Sequence, residues 1–153
     1  AIGTSHGAYK FKQEPKLALD VIDQCRALLP QVFFVMHGSS SVPPELVNEI
    51  NKYGGKVEDA KGVPDQMKQE FIKRAGGPKI NIDTDGRLAA TAAIRRIFFE
   101  QPAEFDPRKY LGPAREAQKQ WVALQIKLFG SDGKIKLVQS KSLDEMRKYY
   151  LTT

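Results

Sequence analysis

The chain carries two histidines, and each closes an apolar run and opens a run of small residues. The segments are Thr4-Ser5-His6-Gly7-Ala8-Tyr9-Lys10 and Val35-Met36-His37-Gly38-Ser39-Ser40-Ser41. An imidazole at a strand tip is a natural zinc donor, and a catalytic zinc takes three protein ligands with one position left open. His6 and His37 on neighbouring strand tips therefore make an incomplete metal site. Either ring can instead be a hydrogen-bonded core histidine. Gly38 to Ser41 offers backbone N–H groups without bulky side chains, together with hydroxyls that donate, which suits a phosphate dianion. Gly7 can act in the same way after His6, with Lys10 adding a point charge. The alternative is a plain turn beside a solvated lysine.

A third polar cluster is Asn81-Ile82-Asp83-Thr84-Asp85. Strand alternation puts Asn81 and Asp83 on one face and Ile82 on the other. Asn81 is placed to hydrogen-bond a developing oxyanion. Asp83 and Thr84 can add backbone N–H groups, and Thr84 a hydroxyl, at the start of the next helix. Simple capping by Asp83 or Asp85 is the competing role. Arg87, one turn further, falls near the phosphate positions, whereas Arg95 and Arg96 read as surface charges.

These residues need strands that end at one edge. Ala1 to Ser5 reads as a short extended apolar segment. From Pro15 to Pro30 the period is helical, with Leu17, Val21, Cys25 and Leu28 on one face beside Ala18, Ile22 and Leu29. Val32 to Met36 is a continuous apolar run of the kind buried on both faces of a parallel sheet. Pro43-Pro44 opens a helix with Leu46, Val47 and Ile50 inward, and Tyr53-Gly54-Gly55 stops it. A helix from about Pro64 to Arg74 ends at Gly76-Gly77-Pro78. Lys79 to Asp83 is the third strand, and a helix from about Asp85 to Phe99 follows. Gln101 to Arg108 reads as a loop and Pro113 to Phe129 as a long amphipathic helix. After the Gly130 to Gly133 turn, Ser142 and Glu145 form a capping box for a last helix reaching Tyr150.

Strand–helix alternation gives right-handed crossovers and a parallel α/β sheet. Every unusual polar residue sits just past a strand's C-terminal end, where βα folds bind ligands. Three strands make a poor stand-alone domain, so the pattern reads as the C-terminal portion of a larger barrel. A small open three-stranded sheet is the other arrangement it fits.

Composition narrows the classes. The 153 residues are 41% hydrophobic and 27% charged, which is globular rather than disordered. No apolar run approaches the roughly 20 residues needed to span a bilayer, and no N-terminal segment has the layout of a signal peptide. Cys25 is the only cysteine, so no disulfide framework exists and a cytoplasmic home is expected. The net charge of +6 comes from scattered Lys and Arg with acidic neighbours, without interleaved aromatics, which speaks against nucleic acid.

Four motifs in order, Ile2 to Lys10, Met36 to Ser40, Lys79 to Asp85 and Phe105-Asp106-Pro107-Arg108-Lys109-Tyr110-Leu111, resemble class II, metal-dependent fructose-1,6-bisphosphate aldolase. The resemblance runs from the first residue to about Gly130 and is looser to the end. It implies a (β/α)8 TIM barrel, of which residues 1–153 look like the last three strands and the C-terminal helices: 1–130 barrel elements with the half-site, 131–153 a tail and short helix. It implies that His6 and His37 are two of three Zn2+ ligands, with a monovalent cation alongside. Gly7, Lys10, Gly38, Ser40, Asp83 and Thr84 would hold the phosphate of dihydroxyacetone phosphate. Asn81 would steady the enediolate, and Arg87 would reach the second phosphate from a neighbouring subunit of a homodimer or homotetramer. The implied reaction is the reversible cleavage of fructose 1,6-bisphosphate to dihydroxyacetone phosphate and glyceraldehyde 3-phosphate. The family's first zinc histidine and its acid/base aspartate have no counterpart in these residues, so the 153 residues alone are expected to be inactive. A tagatose or sedoheptulose bisphosphate aldolase, and a non-enzymatic phospholigand-binding module, are the rival functions. Either keeps a small phosphorylated ligand and has no need of a membrane.

Overall fold

The computed structural model describes residues 2–5, 15–58, 60–138 and 141–152. His6, Gly7 and Lys10 lie outside the described residues, so the readings placed on them are carried only by sequence. In chain order the elements are α1 (Asp20–Leu28), β1 (Val35–Met36), α2 (Pro44–Lys52), α3 (Asp65–Ala75), β2 (Lys79–Ile80), α4 (Thr84–Glu100) and α5 (Pro107–Leu128). A short 3-10 turn (Ile135–Leu137) and α6 (Leu143–Thr152) follow.

β1 and β2 pair in parallel with Val35 opposite Lys79 and Met36 opposite Ile80. The ladder continues past both strands: Lys79 N–H donates to Phe34 O (3.0 Å), Asn81 N–H to Met36 O (2.8 Å) and Ser39 N–H to Asn81 O (3.2 Å). This extension brings the residues after β1 beside those after β2, and it builds the site.

Two apolar clusters hold the elements. Ile22, Met36, Val63, Phe71 and Ala75 form one, with Phe34 and Ile80 packed against it; α1 and α3 cover that face of the sheet. Val42, Val47, Ile50, Leu88 and Ala92 form the other, between α2 and α4, and α5 packs along α4. Within each strand only one side is used. Met36 is buried, while Phe33 is 88% and Val35 48% exposed. Val32 to Met36 is thus covered on one face rather than two, because no layer of the described residues lies over the other.

Both strands are shorter than the expected Val32–Met36 and Lys79–Asp83, two residues each, and three further boundaries differ from expectation. Residues 2–5 form no strand, although Ile2 O accepts a hydrogen bond from Ala18 N–H at 2.9 Å. That same bond holds Ala18 away from helical pairing, so α1 starts at Asp20 instead of Pro15; at its other end Leu28 and Leu29, expected inward, are exposed. α5 starts at Pro107 rather than Pro113. Asp106 is its N-cap, its carboxylate accepting from Arg108 N–H at 3.0 Å, and Pro107 occupies the first turn. The helix then runs through Pro113. The capping box of α6 forms as expected: Ser142 Oγ accepts from Glu145 N–H (3.3 Å), and Glu145 Oε2 accepts from Ser142 N–H (2.6 Å). No helix of the described residues is long and apolar enough to cross a membrane.

Candidate active site

The loop after β1 is forced into shape by close approaches. Gly38 has φ +63°, and a Cβ there would stand 2.3 Å from Ser5 O. Glycine alone fits that left-handed, crowded position. Residues 2–5 therefore lie against the tip of β1.

His37, exposed at the end of β1, has its Nδ1 2.9 Å from Asn81 Nδ2. With the amide donating, Nδ1 accepts and the neutral ring keeps its proton on Nε2. The two chemistry-bearing side chains expected from sequence are thus in contact. Beyond them, Ser40 Oγ accepts from Asp83 N–H at 3.1 Å, which ties the serine run to the start of α4. Arg87 folds back onto Asp83, with Nη2 2.6 Å from Oδ2, and both side chains are largely exposed. Thr84 is the first residue of α4 and is partly buried.

The expectation that the serine run presents free backbone donors is corrected in part. Ser39 N–H is given to Asn81 O, and Ser41 and Val42 N–H are given to Asp85 Oδ2 and Oδ1, both at 2.8 Å. The Asp83 N–H is likewise taken, by Ser40. Nor does Asp83 or Asp85 cap α4 with its carboxylate: Asp83 is the N-cap residue without a side-chain cap bond. Asp85 is 0% exposed and holds the loop from inside, across from Val42, whose φ of +52° is unusual for a β-branched residue.

Sequence reading also missed Lys68 and Asp65. Lys68 shares the buried stripe of α3 with Phe71 and Ala75, a helical spacing at which an apolar residue is ordinary. A lysine on that stripe was the available signal. Arg96 pairs with Glu49 and Arg74 with Glu70 and Asp23, as scattered surface charge should.

A divalent metal fits these residues in kind but not in number. His37 is a suitable nitrogen donor in kind, but a metal would take the Nδ1 lone pair in place of the Asn81 amide, leaving Nε2–H to donate to an orienting partner. Among the described residues no three His, Cys, Asp or Glu side chains come together around a possible ion.

Comparison with known proteins points one way. Residues 1–134 match the family described as fructose-bisphosphate aldolase class-II. A fructose-bisphosphate aldolase of Xanthobacter flavus is 50% identical over 153 residues, covering 98% of this chain and 43% of the relative. One from Giardia intestinalis is 49% identical over 152 residues, covering 98% of this chain and 46% of the relative. A fructose-bisphosphate aldolase class 2 of Synechocystis is 44% identical. The chain spans less than half the length of these relatives.

Proposed function

Since the chain belongs to the class-II fructose-bisphosphate aldolase family, we propose that it supplies the phosphate seat and part of the metal grip of a fructose 1,6-bisphosphate aldolase. In this reading residues 1–153 are the last three strands and C-terminal helices of a (β/α)8 barrel. The parallel register of β1 and β2 supports it, as does the uncovered face carrying Phe33 and Val35.

The observation that carries the proposal is the contact between His37 and Asn81 at the strand tips, with Ser40 and Asp83 joined beside them. His6 and His37 are assigned as two metal ligands. When bound, the metal, zinc in this reading, supplies Lewis-acid polarisation of the substrate ketone. Gly7, Lys10, Gly38, Ser40, Asp83 and Thr84 seat the phosphate of the dihydroxyacetone half. Arg87, released from Asp83, takes the second phosphate of a substrate in a neighbouring protomer of a cytoplasmic homodimer or homotetramer. Cleavage breaks C3–C4: the C4 hydroxyl loses its proton, and the bonding pair moves toward C2 to give the enediolate and an aldehyde. Asn81 steadies the enediolate oxygen, and C3 is then protonated. The group that moves these protons is assigned outside these 153 residues, as is the third metal ligand.

The test is cleavage of fructose 1,6-bisphosphate by the complete gene product. Activity should vanish with a chelator and return with zinc, while the 153-residue chain alone gives no turnover. Undiminished activity after exhaustive chelation overturns the metal-dependent reading. Faster turnover of tagatose or sedoheptulose bisphosphate overturns the choice of substrate.

A further inference from the structure

Lys68 is 0% exposed, yet its ammonium has two polar partners. Nζ donates to Ser41 Oγ at 2.5 Å and stands 2.6 Å from Asp65 Oδ1. The Ser41 hydroxyl in turn donates to the same Asp65 oxygen at 3.0 Å, closing a triangle. The ring of Phe129, past the end of α5, lies with its centroid 5.8 Å from Nζ. Burying a lysine side chain is costly unless it is paired and hydrogen-bonded. A methionine would fill the same stripe of α3 more cheaply, so the charge has a use beyond packing.

That use is visible in what the triangle touches. Ser41 adjoins Ser40, and the loop is gripped from three directions. Asp85 on α4 accepts Ser41 and Val42 N–H. Val63 N–H donates to Ser40 O at 2.9 Å, and Gly62 lies so close that a Cβ would be 2.2 Å from that oxygen. Lys68 and Asp65 hold the Ser41 hydroxyl from α3.

We infer that Lys68 is a positioning residue that fixes the Gly38–Ser41 loop for phosphate binding by holding Ser41, without touching the ligand itself. The inference rests on the assignment of that loop to substrate phosphate. A hydrogen-bonding partner misplaced by a fraction of an ångström loses most of its benefit, so releasing Ser41 weakens the ligand's grip at one residue's remove.

The test uses the complete gene product with inorganic phosphate as probe, measuring its dissociation constant alongside thermal stability and fructose 1,6-bisphosphate kinetics. Lys68→Met and Ser41→Ala should each weaken phosphate binding about tenfold, the worth of one hydrogen bond of about 1.4 kcal/mol. The double variant should be no weaker than either single, because both remove the same link. KM should rise more than kcat falls. A folded Lys68→Met protein that binds phosphate like the parent overturns the inference, as do additive losses in the double variant. If Lys68→Met does not fold, Ser41→Ala decides: tenfold weaker binding supports the inference and unchanged binding overturns it. A parent that binds phosphate without cleaving the sugar bisphosphate sinks the proposed function and leaves this inference standing. A parent that binds no phosphate sinks both.

Discussion

At the residue scale, Asp83 and Asp85 show how two carboxylates two positions apart acquire opposite duties. Asp83 is exposed and pairs with Arg87, an arrangement worth little to stability in water but easily opened to a ligand. Asp85 is sealed in and satisfies two backbone donors of the loop that carries Ser40. Asp85→Ala should therefore lower stability by about 3 kcal/mol, two buried N–H groups being left without partners. Asp83→Ala should leave the denaturation midpoint nearly unmoved. Denaturant titration of both variants checks this, and equal losses would contradict it. The polarity of the pair was legible in the sequence as Asp83-Thr84-Asp85. Its division of labour was not, because it depends on Ser41 and Val42 arriving from a distant part of the chain.

Among the elements, α2, α3, α4 and α6 follow their apolar period and their punctuation, and sequence places them closely. α1 and α5 do not, for local reasons. Ala18 gives its N–H to Ile2 O, a long-range bond that periodicity cannot register. At α5, Asp106-Pro107 is a start signal that Pro113 concealed. The capping box of α6 is also a source of pH dependence. Hydrogen bonding from Ser142 N–H, and then from its hydroxyl, holds the Glu145 carboxyl below its ordinary value. A depressed pKa contributes stability that is present above the ordinary carboxylate value and is lost as pH falls through the lowered one. The amide signals of Glu145 and Met146, both bonded to Ser142, should thus lose protection from hydrogen exchange as the pH drops below about 4. Protection unchanged down to pH 2 would show that the box does not hold this helix.

For the molecule as a whole, the pairing of the two parallel strands sets which side chains meet. The parallel ladder carries His37 to Asn81 and Ser40 to Asp83, so these four residues singled out from motifs meet through backbone pairing. The apolar residues Phe33 and Val35 lie on a face that none of the described residues covers. An interior strand face of a barrel has this composition, and their sequence run could be read as buried without revealing what buries it. Lys68 escaped notice for the reverse reason, since a lysine in a helix is ordinarily solvated and only the tertiary fold seals it. The most direct measurement is the activity and bound metal of the complete gene product carrying His37→Ala. Loss of a metal-holding imidazole predicts at least about a hundredfold fall in fructose 1,6-bisphosphate cleavage together with loss of bound zinc. A variant that keeps both the parent's rate and its zinc would contradict the account.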